Sequence, residues 1–307
     1  MEERKLNTRQ PKPLKELNVI DDFLFREIMA DEASGLKVCR MILEAVLKRK
    51  IGDISFTAQK AVPGVSESKH GIIMDAYITE STDGKGSDVR VFDIEPENKA
   101  SQKKSLPKRG RYYADLIDVH LLNSGTDYDK LPELVIIFIL PYDPFDENAM
   151  YYEAGTILKT HPQKEYDDGI KRIYLYTEGE MPENASPEDI KLKNLLKYIG
   201  NSIKENVTDD ETELLNEIVA DTKSREDVGI RYMKSWEWEK EIREEERINT
   251  EKERERADTE QKRADTEQKR ADTEQKRADK EKNRADTAEA KLAKYVEKYG
   301  ELEWKGC

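Results

Sequence analysis

Cysteine, histidine and long apolar runs are what this 307-residue chain has least of. Its two cysteines, Cys39 and Cys307, make neither a disulfide framework nor a zinc-ligand spacing. The 3 histidines, His70, His120 and His161, lie far apart without a local ligand pattern. Phosphate loops of the G-x-G-x-x-G and Walker types are missing, and so is the G-x-S-x-G nucleophile elbow. Hydride transfer, kinase chemistry and zinc hydrolysis therefore have no support. No apolar stretch approaches the roughly 20 residues of a membrane span, and no apolar targeting segment stands at the N-terminus. The expectation is a protein with no membrane partner, in a reducing, cytoplasmic setting. Hydrophobic residues make up 36% of the chain and charged residues 39%, with a formal net charge of −13. That acidity speaks against a non-specific nucleic-acid coat and leaves room for a local basic groove.

The polar excess sits mainly after Ser235, so a normal domain is followed by a segment without a core. Residues 1–15, with Pro11 and Pro13, read as a flexible arm. Asp21 or Asp22 opens a helix whose Phe25, Ile28 and Met29 recur at helical spacing, and a second helical face runs from Gly35 to Lys50. Three β-prone runs follow at 54–59, 71–79 and 88–96, the last two joined as a hairpin across the turn-rich 82–87. An amphipathic helix over 109–123 leads to LVIIFIL at 134–140, apolar enough to be a strand buried on both faces. Short strands at 151–157 and 172–176 precede helices at 187–201 and 209–222. This order predicts an α/β or α+β sheet with helices on its faces over 16–207; the α/β class, with a mixed sheet flanked by helices, is the expectation carried forward. A helical extension over 208–235 and a long charged helix or weak coiled coil over 236–307 complete the chain.

In that tail RADTEQK repeats place Ala257, Ala264, Ala271, Ala278 and Ala285 seven residues apart. With alanine at a, the d positions hold Glu260, Glu267, Glu274 and Glu281, a poor coiled-coil seam. Asp258 with Lys262 and its repeats form acid-first i,i+4 pairs that would brace a solvated helix. Both readings fit. Any self-association belongs to Ala285, Ala288, Leu292, Tyr295, Tyr299 and Leu302, spaced three and four apart.

The chemistry-bearing residues are carboxylates. Asp75 lies mid-strand in GIIMDAYI, and VFDIEPENK brings Asp93, Glu95, Glu97 and Lys99 at alternate positions, hence on one face of an extended strand. Phe92 and Ile94 would point to the core on the other face. Paired antiparallel strands would set Asp75 beside Glu95 and Glu97, a cluster that either protonates a member or holds a hard dication such as magnesium. The alternative is a polar sheet edge marked by Pro96. Next comes a basic run without acids, Lys99, Lys103, Lys104, Lys108, Arg109 and Arg111, placed to grip phosphates or simply to solvate a loop. Tyr112 and Tyr113 would stack on bases or line the core.

IDDFLFREIM, MDAYI, VFDIEPE, LPKRGRYYADLIDVHLL, LPELVIIFILPYDPF and DGIKRIYLYTEGE, in that order, resemble the PD-(D/E)XK nuclease family transposases, close to the recombination-promoting nuclease group. The resemblance implies a restriction-endonuclease-like core and magnesium-dependent (or manganese-dependent) cleavage of DNA. It maps the metal-binding aspartate onto Asp75 and the metal-binding glutamate onto Glu95. The next functional position, usually lysine or glutamine, falls on Glu97, which can accept a proton but supplies no positive charge. Lys99 is its expected substitute, or part of a shifted Glu97-Asn98-Lys99 triplet. Asp22 matches a recurrent family aspartate and equally suits a helix cap. The expected function is a metal-dependent DNA endonuclease of mobile-element type. Asp75, Glu95, Glu97 and Lys99 are its catalytic set, and Lys103, Lys104, Lys108, Arg109 and Arg111 its nucleic-acid contacts. The alternative is an inactive nuclease-fold module that binds DNA or self-assembles into a homo-oligomer through its tail.

Overall fold

Two acidic residues start the first two helices of the computed structural model, which describes residues 12–66, 68–81 and 89–300. Most of the expected arm, the hairpin turn over 82–87, Leu302 and Cys307 lie outside the described residues. Asp21 accepts from the Asn18 N–H at 2.7 Å just before α1 (Asp22–Ala30), and Asp31 caps α2 (Glu32–Leu47) by accepting from the Ser34 N–H at 2.8 Å. Capping boxes at Ser186/Asp189 and Asp209/Thr212 start α4 (Pro187–Gly200) and α5 (Asp210–Ser224).

The sheet has six strands, β1 (Ile54–Val62), β2 (Ile72–Ser81), β3 (Val89–Pro96), β4 (Glu133–Leu140), β5 (Tyr151–Ala154) and β6 (Ile170–Tyr176). Their order is β1-β2-β3-β4-β6-β5. The β1–β2, β2–β3 and β5–β6 pairs are antiparallel, whereas β3–β4 and β4–β6 are parallel. β4 shows why the sheet separates two cores. Its Val135, Ile137 and Ile139 pack with the buried faces of α1, α2, α4 and α5, while Leu134, Ile136, Phe138 and Leu140 face a second core under α3 (Leu106–Leu121). A strand covered on both sides needs this unbroken apolar run. The fold is therefore α/β, a mixed sheet flanked by helices, with a long C-terminal helix α6 (Glu226–Tyr299).

α3 starts at Leu106 rather than Arg109 because Pro107 fits the first turn of a helix, where no N–H is needed. Its approach to the sheet is close at Gly110, where an added Cβ would lie 3.3 Å from both Phe138 Cε2 and Arg172 Cδ. β3 is an inner strand, between β2 and β4, which overturns the polar-edge alternative for Asp93–Lys99. Pro96 is tolerated there because the β2–β3 ladder has already ended at Ala76–Ile94.

The chain divides into two units, Met1–Lys234 and Ser235–Cys307. Within the first, Arg231 pairs with Glu27 at 2.7 Å, and the Tyr232 ring lies 4.9 Å from that of Phe23. The second is helix up to Tyr299, exposed along its described residues apart from the half-buried Trp236. There Gln261, Gln268 and Gln275 donate to Asp265, Asp272 and Asp279 at 3.0–3.1 Å. The expected Asp–Lys pairs of the repeats do not form among the described residues; Asp265 and Asp272 are instead engaged by the glutamine one turn before them.

A buried carboxylate anchors the opposite end of β2 from Asp75. Glu80, with a side chain 4% exposed, accepts from Arg49 at 2.7 and 2.6 Å and from the Gly52 N–H at 2.9 Å. The Arg49 hydrogen bonds lower its pKa from 4.5 to about 2, against the opposing effect of burial. The stabilisation is complete above pH 4.5 and is lost as the pH falls towards about 2, where the folded protein too takes up the proton. Glu80→Gln should lower stability at pH 7 by about 2 kcal/mol and narrow the difference from wild type in acid, measured by urea unfolding at both pH values.

Candidate active site between β2, β3 and α3

The acidic site forms where strand pairing is interrupted. Ala58 pairs with Ala76 and Lys60 with Met74, but Gln59 and Asp75 between them leave the ladder, and Gln59 has a left-handed φ of 49°. β2 changes its facing here: Ile72 and Met74 belong with Tyr77 to the core under α3, while Ala76 and Ile78 belong to the other. The irregularity frees polar groups for the site. The Asp75 N–H donates to Glu95 Oε1 at 3.0 Å, and Gln59 Nε2 donates to Asp75 Oδ1 at 2.6 Å.

Asp75, Asp93, Glu95 and Glu97 are all buried, at 9%, 0%, 1% and 7% exposure. Their cationic partners come from helices on both sides. Arg109 on α3 places Nη2 2.7 Å from Glu95 Oε2 and bonds Glu97 Oε2 through Nη1. Its guanidinium lies 5.2 Å from the Tyr113 ring centre and 5.7 Å from that of Phe138. Arg26 on α1 sits 3.8 Å from Asp75 Oδ1 and 2.9 Å from Asp22. Asp22 thus lies in the first turn of α1, near the acids, while Asp21 precedes the helix.

Burial raises the pKa of Asp75, and the charge of Asp22 adds to this against Gln59 and the arginines. Burial and then the charge of Asp75 push Glu95 from 4.5 to about 7. Asp93 is raised well above 3.8 by burial first and by Glu95 and Asp75 second, and neither of its oxygens has a hydrogen-bond partner among the described residues. Carboxylates that raise one another in this way are a site short of positive charge.

Asp75 and Glu95 offer hard oxygen donors, and no group of three or more acidic, histidine or cysteine side chains converges on a cation position among the described residues. Two carboxylates suit magnesium, which takes one or two protein ligands and keeps water or phosphate oxygens for the rest. They suit zinc poorly.

The other expected residues are distributed unevenly. Lys99 lies beyond the end of β3, exposed, with its main-chain N–H donating to Glu97 Oε1 at 2.6 Å. The alternate-position argument reaches Glu97 and fails at Lys99, because extended geometry stops at Pro96. Arg109 turns inward to Glu95 and Glu97, with its side chain 23% exposed. Lys103 pairs with Asp146, whereas Lys104, Lys108 and Arg111 are exposed. Tyr112 donates to the His70 carbonyl, and Tyr113 packs on Arg109.

Sequence reasoning missed Gln59, Arg26 and Tyr142 as neighbours of the acids. The Tyr142 hydroxyl is buried without a hydrogen-bond partner among the described residues, and burial, aided by Glu97, pushes its pKa to about 12. Only the i,i+4 relation of Arg109 and Tyr113 on one helix face was a visible signal.

No curated protein and no solved structure matches the chain significantly. The family model described as PD-(D/E)XK nuclease family transposase matches residues 19–294. The match takes in both acid-bearing strands and α3, and the chain belongs to the PD-(D/E)XK nuclease family transposases.

Proposed function

We propose that the chain is a metal-dependent DNA endonuclease of mobile-element type that hydrolyses phosphodiester bonds. The observation that carries this reading is the 3.0 Å hydrogen bond from the Asp75 main-chain N–H to the Glu95 carboxylate, which sets two buried acidic residues side by side at the end of the β2–β3 ladder. In it, Asp75 and Glu95 hold Mg2+, with Mn2+ as a substitute. Such an ion, when bound, polarises a phosphoryl oxygen and acidifies a water. The chain's own groups do the rest. Lys104, Lys108 and Arg111, exposed beside the site, hold the DNA backbone, and Lys99 joins them from the end of β3. Gln59 and Arg26 fix the Asp75 carboxylate from β1 and α1. The family supplies the nuclease and transposase type; the ion, the hydrolysis and the roles of these residues are the proposal.

One observation favours a second reading, a nuclease-fold module that binds DNA without cutting it. Both Glu95 oxygens are already bonded, one to the Asp75 N–H and one to Arg109. Self-association belongs to either reading and is assigned to the end of α6, where Leu292 and Tyr295 are 65% and 62% exposed. No described helix is long and apolar enough to cross a membrane. A cytoplasmic setting is part of the proposal.

Plasmid nicking with Mg2+ or Mn2+ is the direct test. Asp75→Asn and Glu95→Gln should each lower the rate about 100-fold or more, and a variant that cuts as fast as wild type removes its residue from the site. Because Glu95 must lose its proton to bind a cation, Mn2+ affinity should weaken as the pH falls below about 7 and level off above it, measured by calorimetry. Removing residues 256–307 should leave the nicking rate within about twofold, as the acids lie elsewhere, and lower the sedimenting mass. An unchanged association state would contradict the assigned interface.

A further inference from the structure

β3 carries no cation on the face that bears Glu95. The position two residues on is another carboxylate, Glu97, and Lys99 is exposed beyond the strand end. Positive charge reaches the site from α3 instead. Gly110 lets that helix lie close against Phe138, and the preceding residue, Arg109, spans two carboxylates with one planar fork, Nη2 to Glu95 at 2.7 Å and Nη1 to Glu97. Tyr113 and Phe138 flank the guanidinium, whose side chain is 23% exposed. Glu97 is itself fixed, since its other oxygen accepts from the Lys99 N–H at 2.6 Å.

This arrangement has two properties that a structural ion pair does not need. Its fork touches Glu95, the carboxylate bonded to Asp75, so the charge stands at the reaction centre and not on a neighbouring face. And an arginine keeps its charge at any working pH and carries five N–H donors, of which the two carboxylates take two. A two-point anchor fixes the plane in which those donors lie.

We propose that Arg109 supplies the positive charge of the reaction centre, in place of a lysine on β3, and that Glu97 is the positioning residue that aims it. The inference rests on the nuclease reading above. In hydrolysis the water oxygen bonds to phosphorus and the bond to the leaving oxygen breaks. The proton released by water is matched by the one the leaving oxygen takes up. Charge on the non-bridging oxygens must be stabilised in between, and a preorganised guanidinium does this without reorganising solvent.

The test uses the full chain with Arg109→Gln, Arg109→Lys, Glu97→Ala and Glu97→Gln, reading plasmid cleavage kinetics with Mg2+ and Mn2+ binding by calorimetry. Arg109→Gln should lower kcat about 100-fold, with Mn2+ binding unchanged or tighter because a competing cation has left Glu95. Arg109→Lys should recover part of the rate. Glu97→Ala should lower kcat about tenfold with KM for DNA little changed, and Glu97→Gln, which keeps an acceptor oxygen, should restore most of it. Wild-type kinetics in Arg109→Gln, or a loss of cleavage that simply follows a loss of Mn2+ binding, would overturn the assignment. Should Arg109→Gln not fold, the Glu97 pair decides, and equal rates for Ala and Gln would overturn it. A wild-type protein that binds Mn2+ or DNA but leaves DNA uncut with every divalent metal supplied would instead sink the nuclease reading, and this inference with it.

Discussion

The fold must keep several carboxylates inside the protein without letting them drive it apart. Asp75, Asp93, Glu95 and Glu97 sit beneath or beside α3, where an unpaired charge would cost several kcal/mol even after relaxation. Arg109 is the main answer, bonding two of the four at once. The rest is met by local donors: the Asp75 N–H for Glu95, Gln59 for Asp75, and the Lys99 N–H for Glu97. Asp93, fully buried and without a hydrogen-bond partner among the described residues, has its pKa pushed up by burial and by the charges of Glu95 and Asp75.

The two faces of the sheet divide the work. On one, α1, α2, α4 and α5 bury a large apolar core that holds the strands in register. On the other, a single helix covers a smaller core and carries the residues that meet the acids. α1 contributes to both, with Phe25 and Ile28 in the core and Arg26 turned towards Asp75. A site of this kind can be polar because the stability of its frame is supplied mainly from the far face.

The tail follows a different physics. Its helix buries none of its described residues after Lys234 other than in part at Trp236, and its side-chain bonds are between neighbours one turn apart. Such bonds contribute only a few tenths of a kcal/mol each, so the helix is held by many small terms and high intrinsic propensity. A repeat can then be added or removed with little effect on the rest.

The helix start at Asp21–Asp22, the doubly buried strand at 134–140 and the alternation of Asp93, Glu95 and Glu97 were all legible in the chain, because capping, periodicity and the pleat are local properties. The nearness of Asp75 to Glu95 also followed from placing their two strands side by side. What the residues alone left open was which cation stands among those acids. Lys99 is near in sequence and outside in space, since the strand ends at Pro96; Arg109 is fourteen residues from Glu95 and in contact with it, because α3 folds back over β3. The left-handed Gln59 and the break in the β1–β2 ladder were equally hidden. Local geometry set where the carboxylates point; only the packing of a helix against a sheet, which depends on the whole core, decided what neutralises them.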